Sequence, residues 1–128
     1  MAEREDIERL LRDLHAARVG GQLERLCATF APDATFRIAG HSDGKAITVA
    51  VRGIADIRPW LAMLLKSFRL ENYQLLSQVI DGRRAALHWQ VDIHSRITGA
   101  VVATELVDLV EVRDGLASSY TEFFAPRQ

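Results

Sequence analysis

Cysteine is almost absent from this chain: Cys27 stands alone in 128 residues. One thiol cannot close an intrachain disulfide, which excludes a cystine-stapled scaffold and suits a reducing cytoplasm. Long apolar runs are lacking too, and none approaches the roughly 20 residues that a bilayer-spanning helix needs. The charged stretch from Met1 to Asp6 has no apolar core of a secretory leader. Charge of one sign is lacking: the net charge is −1 and basic residues are scattered along the chain. Neither nucleic acid nor an anionic membrane is therefore expected as a partner. Internal repeats, low-complexity tracts and interdomain linkers are missing. So are a phosphate-cradling glycine loop and a nucleophile elbow, and no cofactor is expected.

What is present is the composition of a folded domain. Hydrophobic residues make up 48% and charged residues 26%, which argues against disorder. The length fits a single domain over residues 1–128 that buries roughly two-thirds of its unfolded surface. Ile7, Leu10, Leu11 and Leu14 recur at helical spacing, predicting a helix from about 3 to 18 that Gly20 and Gly21 stop. Leu23, Leu26, Cys27 and Phe30 mark a short second helix, ended by Ala31-Pro32-Asp33, with Cys27 a buried apolar thiol.

Residues 34 to 38 and 46 to 52 read as strands. A third helix takes Asp56 as its cap, since Pro59 is best tolerated in a first turn, and shows the stripe Trp60, Leu61, Leu64, Leu65, Phe68. From Glu71 onward, Asp81-Gly82, Thr98-Gly99 and Asp114-Gly115 punctuate four strands near 71–80, 84–96, 101–113 and 116–125. This order predicts an α+β domain with helices segregated against one face of a curved sheet.

The order of elements, together with Phe30-Ala31-Pro32-Asp33-Ala34-Thr35-Phe36, Val51-Arg52-Gly53 and Ser119-Tyr120-Thr121-Glu122-Phe123-Phe124 after the Asp114-Gly115 turn, resembles the nuclear-transport-factor-2-like superfamily. The similarity is to its SnoaL-like and ketosteroid-isomerase-like branch. The resemblance implies a cone-shaped fold, a cavity between curved sheet and helices, and in many members a dimer through the outer sheet face. That superfold hosts isomerases, dehydratases, cyclases, epoxide hydrolases and binding modules, so the site must decide.

Three chemistries can be set against the residues. Asp108, flanked by Leu106, Val110 and Val112, falls where a ketosteroid isomerase keeps a protonated acid that donates to a developing oxyanion. The positions of that family's general base and helix-one tyrosine fall at Ile38 and Leu14, and neither moves a proton. Asp92 and Glu122 match the two acids of limonene-epoxide-hydrolase-like proteins, but the arginine between them is Gln90, and two water-holding positions are Phe36 and Ile38. His88 with Asp92, Asp108 or Glu122 could form an acid–base pair that removes a proton α to a carbonyl, with Tyr120 donating to the carbonyl oxygen. His15, at the edge of the first apolar stripe, and His41, in a polar loop, read as surface or satisfied residues. His88 and His94 lie too far apart on one strand to share a metal, and no metal is expected.

The expectation is cofactor-independent acid–base chemistry on a small apolar carbonyl compound. Asp108, Asp92, His88, Glu122 and Tyr120 are the candidate catalytic residues, and Gln90, Trp60, Leu14, Phe36, Ile38, Leu106 and Phe124 the candidate cavity walls. A non-catalytic ligand-binding or dimerisation module is the competing expectation, and epoxide-hydrolase-like water activation a further one. One conflict stands open in the strand from Arg84. Its apolar odd positions argue for burying Leu87, Trp89, Val91 and Ile93 in the core. The resemblance argues the reverse: His88, Gln90 and Asp92 toward the cavity, and those four apolar residues in a homodimer interface, where they would otherwise form a large exposed patch.

Overall fold

The computed structural model describes residues 2–42 and 44–127. Helix α1 (Ala2–Val19) follows the predicted stripe, burying Ile7, Leu10, Leu11, Leu14 and Ala17. It ends where Gly20 N–H donates to the Ala16 carbonyl at 2.9 Å and Gly21 takes φ +68°, a left-handed position that glycine adopts without strain. Helix α2 (Leu23–Cys27) is shorter than the spacing suggested. Phe30 is the first residue of strand β1 (Phe30–Ser42) and pairs with Ala117. Pro32 falls between the Phe30/Ala117 and Thr35/Ser119 pairs, where the register shifts, so its missing N–H interrupts no regular ladder.

Strand β2 (Lys45–Arg52) leads into helix α3 (Ile54–Ser67). Asp56 is not the cap. Gly53, at φ +85°, caps the helix three residues earlier, and its carbonyl accepts from Asp56 N–H at 3.1 Å and Ile57 N–H at 2.9 Å. Pro59 thus sits in the second turn, leaving the Ala55 carbonyl without its i+4 donor. Phe68, expected on the helical stripe, is already extended (φ −130°, ψ 132°) and opens strand β3 (Phe68–Asp81). The meander continues with β4 (Arg84–Ser95), β5 (Val101–Arg113) and β6 (Leu116–Pro126).

The six strands form one sheet in the order β2-β1-β6-β5-β4-β3, with every neighbouring pair antiparallel except β1 and β6. The fold is α+β, and the buried side chains of all three helices join those of the inner sheet face in one apolar cluster. Among the described residues no helix is long and apolar enough to cross a membrane.

Two register irregularities decide what the inner face carries. On β6, Ala117 pairs with Val112, but the next recorded pair is Ser119 with Glu111, so Ser118 is an inserted residue whose hydroxyl donates to the Glu111 carbonyl at 3.2 Å. The bulge switches the inward set from Ala117 to Tyr120 and Glu122. On β3, Asn72 takes φ +56° within a register shift between Glu71 and Gln74. That shift turns Tyr73 toward α1.

Candidate functional site

Asp108 of β5 is 0% exposed, and three donors converge on its Oδ2 atom: His15 Nε2 at 2.8 Å, Trp89 Nε1 at 2.9 Å and the Tyr120 hydroxyl at 2.7 Å. These donors come from α1, β4 and β6, so the fold gathers three separate elements on one oxygen. An indole N–H can only donate, which makes Oδ2 an acceptor. Oδ1 is buried without a hydrogen-bond partner. His15 Nδ1 lies 2.6 Å from the Tyr73 hydroxyl; in the neutral imidazole, with Nε2 donating, Nδ1 is the acceptor of that hydroxyl's proton. Trp89 packs against His15, with ring centroids 4.8 Å apart, and the Arg18 guanidinium lies 5.8 Å from the Trp89 ring.

One turn along α1, Arg18 reaches Glu122 of β6 with Nη1 2.6 Å from Oε1 and Nη2 3.3 Å from Oε2. Arg18 is 9% exposed and Glu122 is 2% exposed. Burial pushes the Glu122 carboxyl above its ordinary pKa, Arg18 opposes this, and the charge of Asp108 across the strand pair adds to the rise. Burial alone would lower the Arg18 pKa, but the attraction of Glu122 and the neighbouring Tyr120 and Asp108 overrides it and leaves the guanidinium more firmly protonated than usual. Tyr120 is pushed well above the ordinary phenol value, first by burial and then by Asp108.

The ion pair forms part of the wall of a partly open cavity of about 380 Å³ between α3, the β1–β2 hairpin and the inner face of β4 to β6. Apart from Arg18, Glu122 and Thr104, every lining residue is apolar, including Ile38, Trp60, Leu106 and Phe124. The volume lies in the range of small-molecule sites. Asp108 and Tyr120 lie behind the ion pair and do not line the cavity.

Several expectations need correction. Antiparallel pairing sets Leu87 opposite Asp108 and Trp89 opposite Leu106, and residues directly opposite share a face. Leu87, Trp89 and Val91 therefore point into the core, at 1–2% exposure, and Ile93 lines the cavity. None of the four is available as an outer dimer contact, because the row faces the inner side of the sheet, where the core takes Leu87, Trp89 and Val91 out of water within one chain and Ile93 faces the cavity.

His88, Gln90 and Asp92 lie on the opposite face. There His88 bonds Glu105, Gln90 bonds Gln74 at 3.0 Å, and Asp92 accepts from Asn72 at 2.8 Å. The Asp92 and Glu122 pair of the epoxide-hydrolase comparison is thus divided between the two sides of the sheet. Leu14 and Phe36 belong to the core and do not line the cavity; Phe36 stacks on Tyr120 at 5.7 Å. Among the described residues, no three His, Cys, Asp or Glu side chains gather as a metal would require.

The residues that sequence reasoning missed are His15, Arg18, Tyr73 and the indole of Trp89. Part of the signal was available. Leu11, Leu14, His15 and Arg18 share one helical face, so two polar side chains continue an apolar stripe and need buried partners.

The SnoaL-like domain family profile matches residues 11–120. No curated protein matches the sequence. Solved structures share the fold. A Bacillus subtilis protein provisionally described as an isomerase superposes with a TM-score of 0.84 at 19% identity, over 98% of this chain and 90% of its own. An LEH-like epoxide hydrolase of M. tuberculosis gives 0.75 at 14% identity, over 94% and 84%. A Catenulispora acidiphila protein of ketosteroid-isomerase-like fold, in complex with trimethylamine, gives 0.69 at 19% identity, over 88% and 82%.

Proposed function

We propose, from the premise that this chain belongs to the SnoaL-like domain family, that it is a cofactor-independent acid–base enzyme acting on a small apolar carbonyl compound, with Glu122 as the proton-transferring group and Arg18 as its electrostatic partner. The observation that carries this reading is the buried Arg18–Glu122 ion pair in the wall of an otherwise apolar cavity. A carboxyl raised above its ordinary value is a stronger base than an exposed one, which suits it to proton transfer with an apolar ligand.

The charges balance at each stage. Glu122 takes the proton α to the carbonyl, the C–H electron pair moves into the enolate, and the negative charge passes from Glu122 to the enolate oxygen. Arg18 then faces the oxyanion in place of the carboxylate. One cation and one anion remain paired throughout, so the apolar cavity never holds an uncompensated charge. Return of the proton at another carbon gives isomerisation, and loss of a β-leaving group gives elimination.

The test needs no knowledge of the physiological substrate. Small apolar ketones and enones are incubated with the protein in D2O, and NMR follows deuterium incorporation α to the carbonyl. The wild type is expected to catalyse exchange with at least one of them, and Glu122→Gln to lose about 100-fold or more under conditions where circular dichroism finds the variant folded. Ligand binding without exchange by the wild type would instead support a non-catalytic binding module.

A further inference from the structure

The Arg18–Glu122 pair leaves a second polar chain unused, and that chain leads elsewhere. Tyr73 is 36% exposed, lies outside the cavity lining, and is joined to buried Asp108 through His15 by contacts of 2.6 and 2.8 Å. Its orientation is specifically built. Asn72 sits at φ +56° within a β3 register shift, and its amide donates to Asp92 at 2.8 Å on the outer face. A non-glycine residue at positive φ in a strand is uncommon and costs backbone energy. The shift re-aims Tyr73 so that its hydroxyl meets His15.

We infer that Tyr73, His15 and Asp108 form a proton relay connecting solvent to the interior by a route separate from the cavity mouth. Inward transfer balances as follows. A hydronium ion in the solvent gives a proton to Tyr73 Oη and is left as water, while the phenol proton passes to His15 Nδ1 and the Nε2 proton passes to Asp108 Oδ2. The imidazole is left in its other tautomer, the phenol is regenerated, and Asp108 carries the added proton. Outward transfer is the reverse.

The charged and titratable groups facing this line are His15 and Arg18 from α1, Tyr73 from β3, Asp108 from β5, and Tyr120 and Glu122 from β6. Asp108 and Glu122 are direct partners across the β5–β6 pair. A proton arriving on Asp108 removes the negative charge opposing ionisation of Glu122, so Glu122 can pass its own proton to the ligand. The relay stands on these contacts alone. Its use in turnover rests on the reading of Glu122 as the proton-transferring group, with Tyr73 and His15 as positioning residues.

The test reads the relay without a substrate. Protein labelled with 15N-histidine is observed by proton NMR, and the buried His15 Nε2–H signal is assigned by its loss in His15→Gln. Tyr73→Phe removes one hydroxyl and keeps the ring. If the hydroxyl carries protons, exchange of Nε2–H with water must wait for local opening and slows by about tenfold or more. If Tyr73 only shields His15, exchange is unchanged or faster, and that result overturns the relay. Asp108→Asn, which keeps an acceptor oxygen, is expected to slow exchange as well, and unchanged exchange there would equally count against it. Failure of deuterium incorporation into ketones bears on Glu122 and leaves these exchange rates untouched, so the two readings can fail separately.

Discussion

Replacing Arg18 by Met tests the central electrostatic argument, because it preserves much of the aliphatic stem while deleting the charge. Both members of the pair are nearly inaccessible, with side chains 9% and 3% exposed. Glu122 would be left buried opposite Asp108 with no cation beside it. Breaking a buried pair from one side costs about 3–5 kcal/mol, a large share of the ~5–15 kcal/mol that holds a typical domain.

The loss should depend on pH in a defined direction. The Glu122 carboxyl already titrates above its ordinary value, and Arg18 is the foremost influence pulling it down. Without Arg18, the folded pKa rises further. A group whose folded pKa exceeds its unfolded value contributes stability fully below the unfolded value, about 4.3 for Glu, and loses it as pH rises through the folded value. The deficit of Arg18→Met should therefore be small near pH 4 and widen toward neutrality, as read by urea denaturation at a series of pH values. Adding Glu122→Leu removes the orphaned charge and should restore stability to within about 1 kcal/mol of the wild type. A single-variant loss below about 1 kcal/mol, the size of an exposed ion pair, would refute the argument. So would a double variant no more stable than the single one.

Two further outcomes follow from packing and burial. Both tyrosines lie above the ordinary phenol value, Tyr73 through burial and Asp108, and Tyr120 still higher for the same reasons. Ultraviolet titration should find both less than half ionised at pH 10, with alkaline unfolding favoured because the unfolded phenols release protons first. At Gly40 a Cβ would lie 2.5 Å from the Phe124 ring and 2.6 Å from its carbonyl oxygen. Gly40→Ala should therefore cost about 1–3 kcal/mol in thermal or urea denaturation, and a neutral result would contradict the close approach of β1 and β6.

The helical stripe of α1, the meander and its turns were legible because they depend on periods of 3.6 and 2 and on local turn residues. The face of β4 was legible as well, since apolar Leu87, Trp89 and Val91 alternate with polar His88, Gln90 and Asp92. The family resemblance pulled the expectation the other way. What the sequence could not reveal is relative parity between strands. Asp108 and His88 were both expected inward, yet the β4–β5 register matches even positions of one strand with odd positions of the other, so the two cannot share a face. Ser118 illustrates the same limit on β6: had the ladder run on from Val112–Ala117 without the bulge, Asp108 would stand opposite Thr121, and Glu122 would point away from the cavity. Nothing in the string Ala117-Ser118-Ser119 announces this, because a bulge is selected by long-range pairing rather than by local propensity.

The two inward acids are treated unequally, and that inequality argues for a division of labour. Asp108 and Glu122 face each other across adjacent strands, where two bare carboxylates would repel strongly. Three hydrogen-bonding side chains from α1, β4 and β6 fasten Asp108 behind the cavity wall, whereas one cation, Arg18, meets Glu122 at the wall itself. A hydrocarbon of suitable shape could fill the apolar space and leave the Arg18–Glu122 contacts intact. A carbonyl oxygen could compete for Arg18 and loosen its hold on Glu122, so ligand polarity would raise the basicity of the carboxylate that we propose removes its proton. Apolar shape would then govern occupancy, and a single oxygen would govern whether proton transfer begins.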